Sequence, residues 1–256
     1  MKKMAPVQVQ PVFKTFPAPD AAPATSPGIY RVARVNPQAL AETVPPLDPQ
    51  AAPWRDLSVA AVAHFHPDSA PDHRPRTDVR LLHAGDRLRA LFDVHDRFVR
   101  CVHADYQSMV SRDSCVELFL QPPGGAGYFS FEFSCGGAML VLYIEDPRRA
   151  GDRLFAKYQP IPERLGRAVS VWSSLRHPID PEVTTPVRWQ LACEIPFAVL
   201  RPYLAPAIRQ FAGTWRGNFF KCADGTSRPH WAAWNPIGAV RRFHQPDKFG
   251  SVVFED

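Results

Sequence analysis

The sequence predicts an all-β fold, an antiparallel β-sandwich with one or two short helices. Three observations support it: many short segments have strand-like composition, turn residues separate them, and no long stretch has helical periodicity. The chain of 256 residues contains 28 prolines. Because proline is excluded from helix interiors and central strands, so many prolines indicate many loops and sheet edges. A sandwich can use this whole length as one domain.

The strand-like segments are short, and their side chains alternate. In the segment 128–133, three phenylalanines fall on one face and Ser130 and Glu132 on the other. Turn residues at 85–86 predict a hairpin. A short helix is expected over residues 197–203, after a proline that ends the preceding strand. The expected strands cover residues 30–32, 79–82, 88–94, 115–120, 128–133, 139–144, 169–175, 187–195, 215–222 and 249–254.

The N-terminal region differs in composition from the rest of the chain. Residues 1–27 are rich in Pro, Ala and Gln, which predicts an irregular extension, and residues 28–256 form the predicted domain. The basic start Met1-Lys2-Lys3-Met4 is not followed by an apolar stretch. We therefore expect no signal peptide and no membrane span, and a cytoplasmic location by default unless the true start lies upstream.

Charge and cysteine content exclude some classes of protein. The net charge is +5, and the basic residues form no long run, so we expect no nucleic-acid or membrane partner. The five cysteines form no CxxC pair, and four of them lie in apolar, strand-like segments. These features predict buried thiols rather than a disulfide framework.

Three constellations could carry chemistry, and each has a plainer interpretation that we favour. His64 and His66 could bind zinc from one face of a strand, but an edge loop with hydrogen-bonded histidines is favoured. Asp113 and Glu117 could act as paired carboxylates, although a binding or structural role is favoured. Cys115 could act as a nucleophile beside a histidine such as His103, yet its apolar surroundings predict an inert thiol.

Aromatic residues cluster near the C-terminus. Trp231 and Trp234 follow Trp215 closely, with Asn218, Lys221 and His230 between or beside them. Indole faces stack on the apolar faces of sugar rings, and neighbouring polar groups bind hydroxyls. The cluster therefore indicates a carbohydrate site, with core packing between two sheets as the alternative for each tryptophan.

A set of motifs in a fixed order is the most specific feature of the chain. It resembles the carbohydrate-binding family 9-like proteins of bacteria over about residues 54–256. The motifs are His73-Arg74-Pro75-Arg76-Thr77, Leu91-Phe92-Asp93-Val94, Arg112-Asp113-Ser114-Cys115-Val116-Glu117-Leu118-Phe119, Tyr128-Phe129-Ser130-Phe131-Glu132, Cys135-Gly136-Gly137, Glu194-Ile195-Pro196, Trp215-Arg216-Gly217-Asn218-Phe219-Phe220-Lys221-Cys222, Pro229-His230-Trp231-Ala232-Ala233-Trp234 and Phe249-Gly250.

The resemblance implies a DOMON-like or jelly-roll sandwich in which two aromatic side chains clamp a reducing-end sugar, with polar residues and structural calcium nearby. Glu117 matches the family carboxylate. The first clamp position falls at residues 110–112, which contain no aromatic residue, so Tyr106 or a loop aromatic would have to replace it. Phe243 and His244 occupy the second clamp position.

The predicted function is non-catalytic binding of mono- or oligosaccharide ends. Asp113 and Trp234 are interpreted as structural. Two alternatives stay open: an interaction domain that has lost the sugar site, and a haem b redox domain with Met109 and either His230 or His244 as axial ligands. The predicted ligand-binding residues are Arg112, Glu117, Asn218, Lys221, Phe243 and His244.

Overall fold

The fold consists of short β-strands connected by turns and loops. The computed structural model describes residues 28–37, 40, 47–151 and 154–256, so the predicted extension 1–27 lies outside the described residues. The strands are β1 (Ile29–Arg34), β2 (Ala60–Ala61), β3 (His64–Phe65), β4 (Arg76–His83), β5 (Arg87–Asp96), β6 (Val99–Cys101), β7 (Cys115–Gln121), β8 (Tyr128–Ser134), β9 (Met139–Asp146), β10 (Lys157–Pro160), β11 (Ser170–Ser173), β12 (Ile179–Val183), β13 (Val187–Pro196), β14 (Gly213–Cys222), β15 (Trp231–Ala233) and β16 (Gly250–Phe254).

Two sheets pack against each other as a β-sandwich. The first sheet has the order β10-β9-β8-β7-β14-β16-β1, with β15 paired to β14 and β3 paired to β15. The second sheet has the order β1-β4-β5-β13-β11, with β2 paired to β4. Strands β6 and β12 form a separate pair. The β-sandwich is thus confirmed, while the DOMON-like or jelly-roll subtype stays a prediction.

Strand β1 pairs in parallel with both of its neighbours, which corrects the expectation of a purely antiparallel sandwich. Its residues 29–32 lie beside residues 251–254 of β16, and residues 33–34 lie beside residues 82–83 of β4. Parallel neighbours require a long connection, and β1 is far in sequence from both partners. The same strand therefore belongs to both sheets and joins them along one edge.

Alternating apolar side chains fill the space between the sheets. Phe129, Phe131 and Phe133 of β8 face this interior and belong to the same buried cluster as Trp189 and Leu191 of β13. Burying each such side chain contributes roughly 1.5–3 kcal/mol to folding. The main core thus follows from the two-residue alternation read in the sequence.

A second apolar cluster covers the outer face of the first sheet. It includes Phe119 of β7, Leu142 of β9 and Phe220 of β14, together with Phe155 and Phe243 from two loops that fold over these strands. As a result, side chains that point away from the main core are also buried, including the carboxyl groups of Glu117 and Glu132.

Most of the expected elements are present in the structure. The predicted hairpin corresponds to β4 and β5, which pair antiparallel along their length. Short α-helices cover Glu163–Gly166 (α1) and Phe197–Leu200 (α2), and α2 continues into a 3-10 turn at Arg201–Tyr203, where a helix was expected. Among the described residues, no helix has the length and apolar character needed to cross a membrane. The strands that were not predicted are the short β2, β3, β6, β10, β12 and β15.

Candidate functional site

A cavity opens on the outer face of the first sheet, between the sheet and the two loops that cover it. Its volume is about 210 Å³. Strands β7, β8, β9 and β14 form the floor, and the loops before β10 and before β16 form the walls. The lining residues are Met109, Ser111, Glu117, Glu132, Leu140, Arg149, Leu154, Phe155, Cys222, Asp224, Trp231, Arg241, Arg242, Phe243 and His244.

Two glutamates face each other on the floor of this cavity. Glu117 of β7 lies directly opposite Glu132 of β8, and the two residues are only 2% and 4% exposed. The Ser130 hydroxyl donates to Glu132 Oε1 at 2.8 Å, and the Cys222 thiol lies 3.2 Å from Glu117 Oε1. Burial raises the pKa of Glu132 to about 7. Burial and then the charge of Glu132 raise the pKa of Glu117 well above its usual range.

One wall of the cavity carries a partly exposed tryptophan. The Trp231 indole Nε1 donates to Asp224 Oδ1 at 2.7 Å, which fixes the plane of the ring. The Arg241 guanidinium lies 4.3 Å from the centre of the same ring, in cation–π contact. Burial raises the pKa of Asp224 even though it accepts this hydrogen bond. The wall therefore offers both an aromatic surface and charged groups.

His244 lies deep in the opposite wall. Its Nδ1 is 2.9 Å from the Tyr128 hydroxyl, and its ring lies 4.7 Å from the ring of Phe119 and 4.5 Å from that of Phe155. Burial, assisted by the charge of Arg149, lowers the pKa of His244 to about 3, so the ring is neutral at pH 7. Its Nε2 is 4.0 Å from Glu132 Oε1.

Phe243 lines the cavity but is largely committed to packing. Its ring stacks on that of Phe220 at 4.2 Å between centres and 15° between planes, and the residue is 9% exposed. Phe155 is even less accessible, at 1% exposure, so the partly exposed Trp231 supplies the aromatic wall. Tyr106, the alternative clamp residue, is elsewhere: its hydroxyl donates to the Ile161 carbonyl at 2.7 Å and its ring packs against Gly166.

The structure brings together three of the six predicted ligand-binding residues, Glu117, Phe243 and His244. Arg112 is exposed beside the cavity but does not line it. Asn218 is fully buried, where its amide donates to the Asn235 carbonyl and accepts from two backbone amides. Lys221 is also fully buried and points to the opposite face of the sheet, so neither side chain faces the cavity.

Lys221 belongs to a polar cluster between the two sheets. Its Nζ lies 3.1 Å from Asp96 Oδ2 and donates to His230 Nε2 at 2.8 Å. His73 completes the cluster through a 2.9 Å contact of its Nε2 with Asp96 Oδ1. The other ring nitrogen of His230 is 2.9 Å from the Arg228 carbonyl. Both nitrogens of His230 are therefore engaged, which leaves none free for the axial contact that the haem alternative assigned to His230 or His244.

Sequence reasoning missed the arginines of the cavity. Arg149 comes from one covering loop and Arg241 and Arg242 from the other. The Nε atom of Arg242 is buried and has no hydrogen-bond acceptor in the described part of the chain. The signal available in the sequence was the position of Arg241-Arg242 immediately before the clamp pair Phe243-His244.

The other candidate constellations have structural roles. His66 accepts from the Asp68 amide at 3.1 Å, its Nε2 is 3.1 Å from the Ala239 carbonyl, and the neighbouring His64 is exposed. The buried Asp113 carboxylate accepts from the backbone amides of Val102 and His103 and contacts the His103 ring. These contacts agree with the interpretation of Asp113 as structural and leave Cys115 without its proposed histidine partner.

The described part of the chain contains two groups of three side chains that could together hold a metal ion: His73, Asp96 and His230, and Cys115, Glu117 and Cys222. Each group includes imidazole or thiol ligands rather than oxygen ligands alone. Calcium prefers sets of oxygen ligands. The structural calcium implied by the resemblance therefore stays a prediction.

A larger groove lies away from these residues. Its volume is about 610 Å³, and it runs between the β9–β10 edge and the segment after α2. Proline and aliphatic residues make up about half of its lining, and Tyr143, Glu145, Arg164 and Tyr203 are among the others. None of the predicted ligand-binding residues lines this groove, so the smaller cavity is the candidate site.

Comparison with known protein families gives a match to carbohydrate-binding family 9 over residues 55–254. The chain belongs to this family. The match spans both sheets and includes every residue that lines the cavity. A search of curated proteins found no match.

Solved structures with the same fold include other carbohydrate-binding proteins. A candidate carbohydrate-binding protein from Bacteroides uniformis is 26% identical, with a TM-score of 0.73, and the match covers 90% of this chain and 100% of that one. A family 9 module from Caldicellulosiruptor kristjanssonii in complex with glucose is 12% identical, with a TM-score of 0.55 and coverage of 89% and 95%. The same kind of module in complex with cellotriose has a TM-score of 0.52, with 12% identity and coverage of 89% and 93%.

Proposed function

We propose that the outer-face cavity binds one sugar unit, either a monosaccharide or the end of an oligosaccharide, without converting it. The observation that carries the proposal is the combination of a partly exposed tryptophan, two buried carboxyls and three arginines around one cavity in a family 9 chain. The volume of about 210 Å³ suits a single small ring rather than a long chain.

Trp231 would supply the stacking surface. Aromatic rings bind the apolar face of a sugar because the ring removes C–H groups from water. The hydrogen bond to Asp224 holds the indole before the ligand arrives, so little side-chain entropy is lost on binding. On the opposite wall Phe155 is almost fully buried and supports the ring of His244, with 4.5 Å between the ring centres. Trp231, at the start of β15, would thus take the place of the clamp residue that is missing at 110–112.

Polar groups on the floor and walls would fix the orientation of the sugar. Oxygens of Glu117 and Glu132 are available to accept from hydroxyl groups, and the arginines are available to donate. Arg242 is the strongest donor candidate because its buried Nε has no acceptor among the described residues. A buried donor without an acceptor is costly, and a sugar oxygen would remove this cost.

Relatives suggest the first ligands to try. The family 9 modules of Caldicellulosiruptor kristjanssonii bind glucose and cellotriose. Calorimetric titration with glucose, cello-oligosaccharides and a wider sugar panel should give saturable binding. Trp231→Ala and Glu132→Gln should each weaken it at least tenfold, while Tyr203→Ala in the larger groove should leave it unchanged. Incubation with the oligosaccharides should give no cleavage products.

Each alternative has its own outcome. Loss of binding in Tyr203→Ala, but not in Trp231→Ala, would move the site to the larger groove. A folded protein that binds no sugar would favour the interaction-domain alternative. A Soret absorption band in the purified protein would favour the haem alternative, and release of shorter sugars would contradict binding without catalysis.

A further inference from the structure

Two buried clusters in the described part of the chain have ligand atoms close enough to share a metal ion, and in each cluster these atoms lie within 4.8 Å of one another. The cluster of His73, Asp96 and His230 already contains a cation, because the Lys221 ammonium contacts both Asp96 and His230. That ammonium neutralises the carboxylate and uses the free electron pair of the imidazole. The Lys221 ammonium therefore takes the contacts that a metal ion would need in this first cluster.

The second cluster also has three ligand atoms within 4.8 Å of one another, and no lysine or arginine of the described residues forms an ion pair with its carboxyl group. Cys115 of β7 lies directly opposite Cys222 of β14, and Glu117 is two residues further along the same face of β7. The exposure of Cys115, Glu117 and Cys222 is 0%, 2% and 1%. Strand register alone therefore brings two thiols and one carboxyl together, and two of these residues, Glu117 and Cys222, line the cavity.

Among the described residues, no cationic side chain forms an ion pair with this cluster. The hydrogen-bond partner of Glu117 is the Cys222 thiol. Glu132, the cross-strand neighbour of Glu117, has no basic partner in the described part of the chain nearer than His244, whose Nε2 lies 4.0 Å from Glu132 Oε1. A buried carboxylate is normally paired with a cation or bound to a metal, and an unpaired one takes up a proton that a metal ion can displace. The observation that points to a ligand is thus a nine-tenths buried carboxyl without a cationic partner, beside two thiols.

We propose that Cys115, Cys222 and Glu117 bind a thiophilic divalent cation, with zinc as the best fit. Thiolate sulfur and carboxylate oxygen are common zinc ligands, and two thiolates select against calcium and magnesium. Binding converts two thiols to thiolates and needs Glu117 as the carboxylate, so the two thiol protons and the proton held by the Glu117 carboxyl are released to solvent. Glu117, Cys222 and Glu132 line the cavity, so water or Glu132 can supply a fourth ligand from that side. The proposal does not depend on sugar binding.

The chain contains a matched control pair of cysteines. Cys101 and Cys135 are also buried and also contact each other, but their other side-chain partner is the Ser134 hydroxyl rather than a carboxylate. They belong to no group of three ligands in the described part of the chain. Replacing this pair removes as many thiols as replacing Cys115 and Cys222 and leaves the proposed site intact.

Cobalt provides a direct optical test on the untagged, reduced, full-length protein. Addition of Co²⁺ should give a sulfur-to-cobalt charge-transfer band that saturates at one equivalent and is displaced by Zn²⁺. The band should disappear in Cys115→Ser and in Cys222→Ser, and Glu117→Gln should weaken Zn²⁺ affinity at least tenfold. The double variant Cys101→Ser/Cys135→Ser should behave like the unmodified protein.

Thermal unfolding gives a second readout that reports folding at the same time. Zn²⁺ should raise the melting temperature of the unmodified protein and of the control variant, but not that of Cys222→Ser. No charge-transfer band in the unmodified protein, or a full band in both Cys115→Ser and Cys222→Ser, would overturn the proposal. Trp231→Ala separates the two functions: it should lose sugar binding and keep the cobalt band.

Discussion

Lys221 lies 3.1 Å from Asp96 in the interior of the sandwich, and both side chains are inaccessible to solvent. Lys221 shares the inward face of β14 with Phe219 and Trp215, which lie two and six residues before it in alternation. Burial alone would raise the pKa of Asp96, but the Lys221 ammonium and the contact with His73 lower it far below its usual range. The Asp96 carboxyl is therefore ionised at neutral pH, and the pair belongs to the core rather than to the ligand site.

Removing the ammonium should destabilise the fold strongly. Lys221→Met leaves the buried Asp96 carboxylate without its main counter-charge, which typically costs about 3–5 kcal/mol. We expect a corresponding decrease in the free energy of unfolding measured by urea denaturation. Lys221→Met/Asp96→Asn should recover much of the loss, since the amide is neutral and keeps a hydrogen-bond acceptor for His73. A loss below about 1 kcal/mol in the single variant would show that the pair is not a major source of stability.

The neutral state of His230 makes stability depend on pH. Burial, followed by the charge of Lys221, lowers the pKa of His230 to about 3, whereas an unfolded histidine has a pKa of about 6.5. Between these values the unfolded chain binds the proton and the folded chain does not. Stability should therefore fall as the pH decreases below about 6.5, by up to about 1.4 kcal/mol per pH unit for this group.

Unfolding free energies measured between pH 7 and pH 5 check this dependence. His230→Gln should reduce the change of unfolding free energy with pH by the contribution of about one proton. Glutamine can accept the hydrogen bond from Lys221 but does not titrate. His64→Gln is the control, since His64 is exposed on β3. An unchanged slope in His230→Gln would mean that the proton is taken up elsewhere.

The main core could be predicted from the sequence because it depends on local alternation. The alternation of Phe129, Phe131 and Phe133 predicts one buried face, whichever strands pack against it. The opposite face could not be predicted in the same way, because Glu132 and Ser130 look like solvent-facing positions. They are buried only because distant loops cover them, and a loop path depends on long-range packing.

The candidate site could be predicted only in part for the same reason. The motif that contains Glu117 pointed to the right strand, but its partners Glu132 and Cys222 depend on the register of two neighbouring strands. Because Lys221 is polar and lies near tryptophans in the sequence, the sequence predicts a place for it in the ligand-binding site. Alternation from Phe219 would have placed it in the core, where a lysine is expected only if it is paired.

Deleting residues 1–27 should leave the domain intact. The described residues that line the cavity run from Met109 to His244, and those of the main core run from Tyr30 to Phe254. We expect the shortened chain to keep its sugar affinity and to unfold within a few degrees of the full chain. A large decrease in melting temperature, measured by circular dichroism, would place the extension within the cooperative unit and move the domain boundary.

Arg242 should contribute to ligand affinity more than any exposed arginine. Its buried Nε has no acceptor among the described residues, so a sugar oxygen would satisfy it. A charge-assisted hydrogen bond is worth about 1.5–3 kcal/mol, and Arg242→Gln should therefore weaken binding roughly 10- to 100-fold in calorimetric titrations. Arg228→Gln is the matched control, because Arg228 pairs with Asp72 outside the cavity. Equal losses in both variants would point to a general effect of charge, whereas a loss confined to Arg242→Gln would support a specific contact with the ligand.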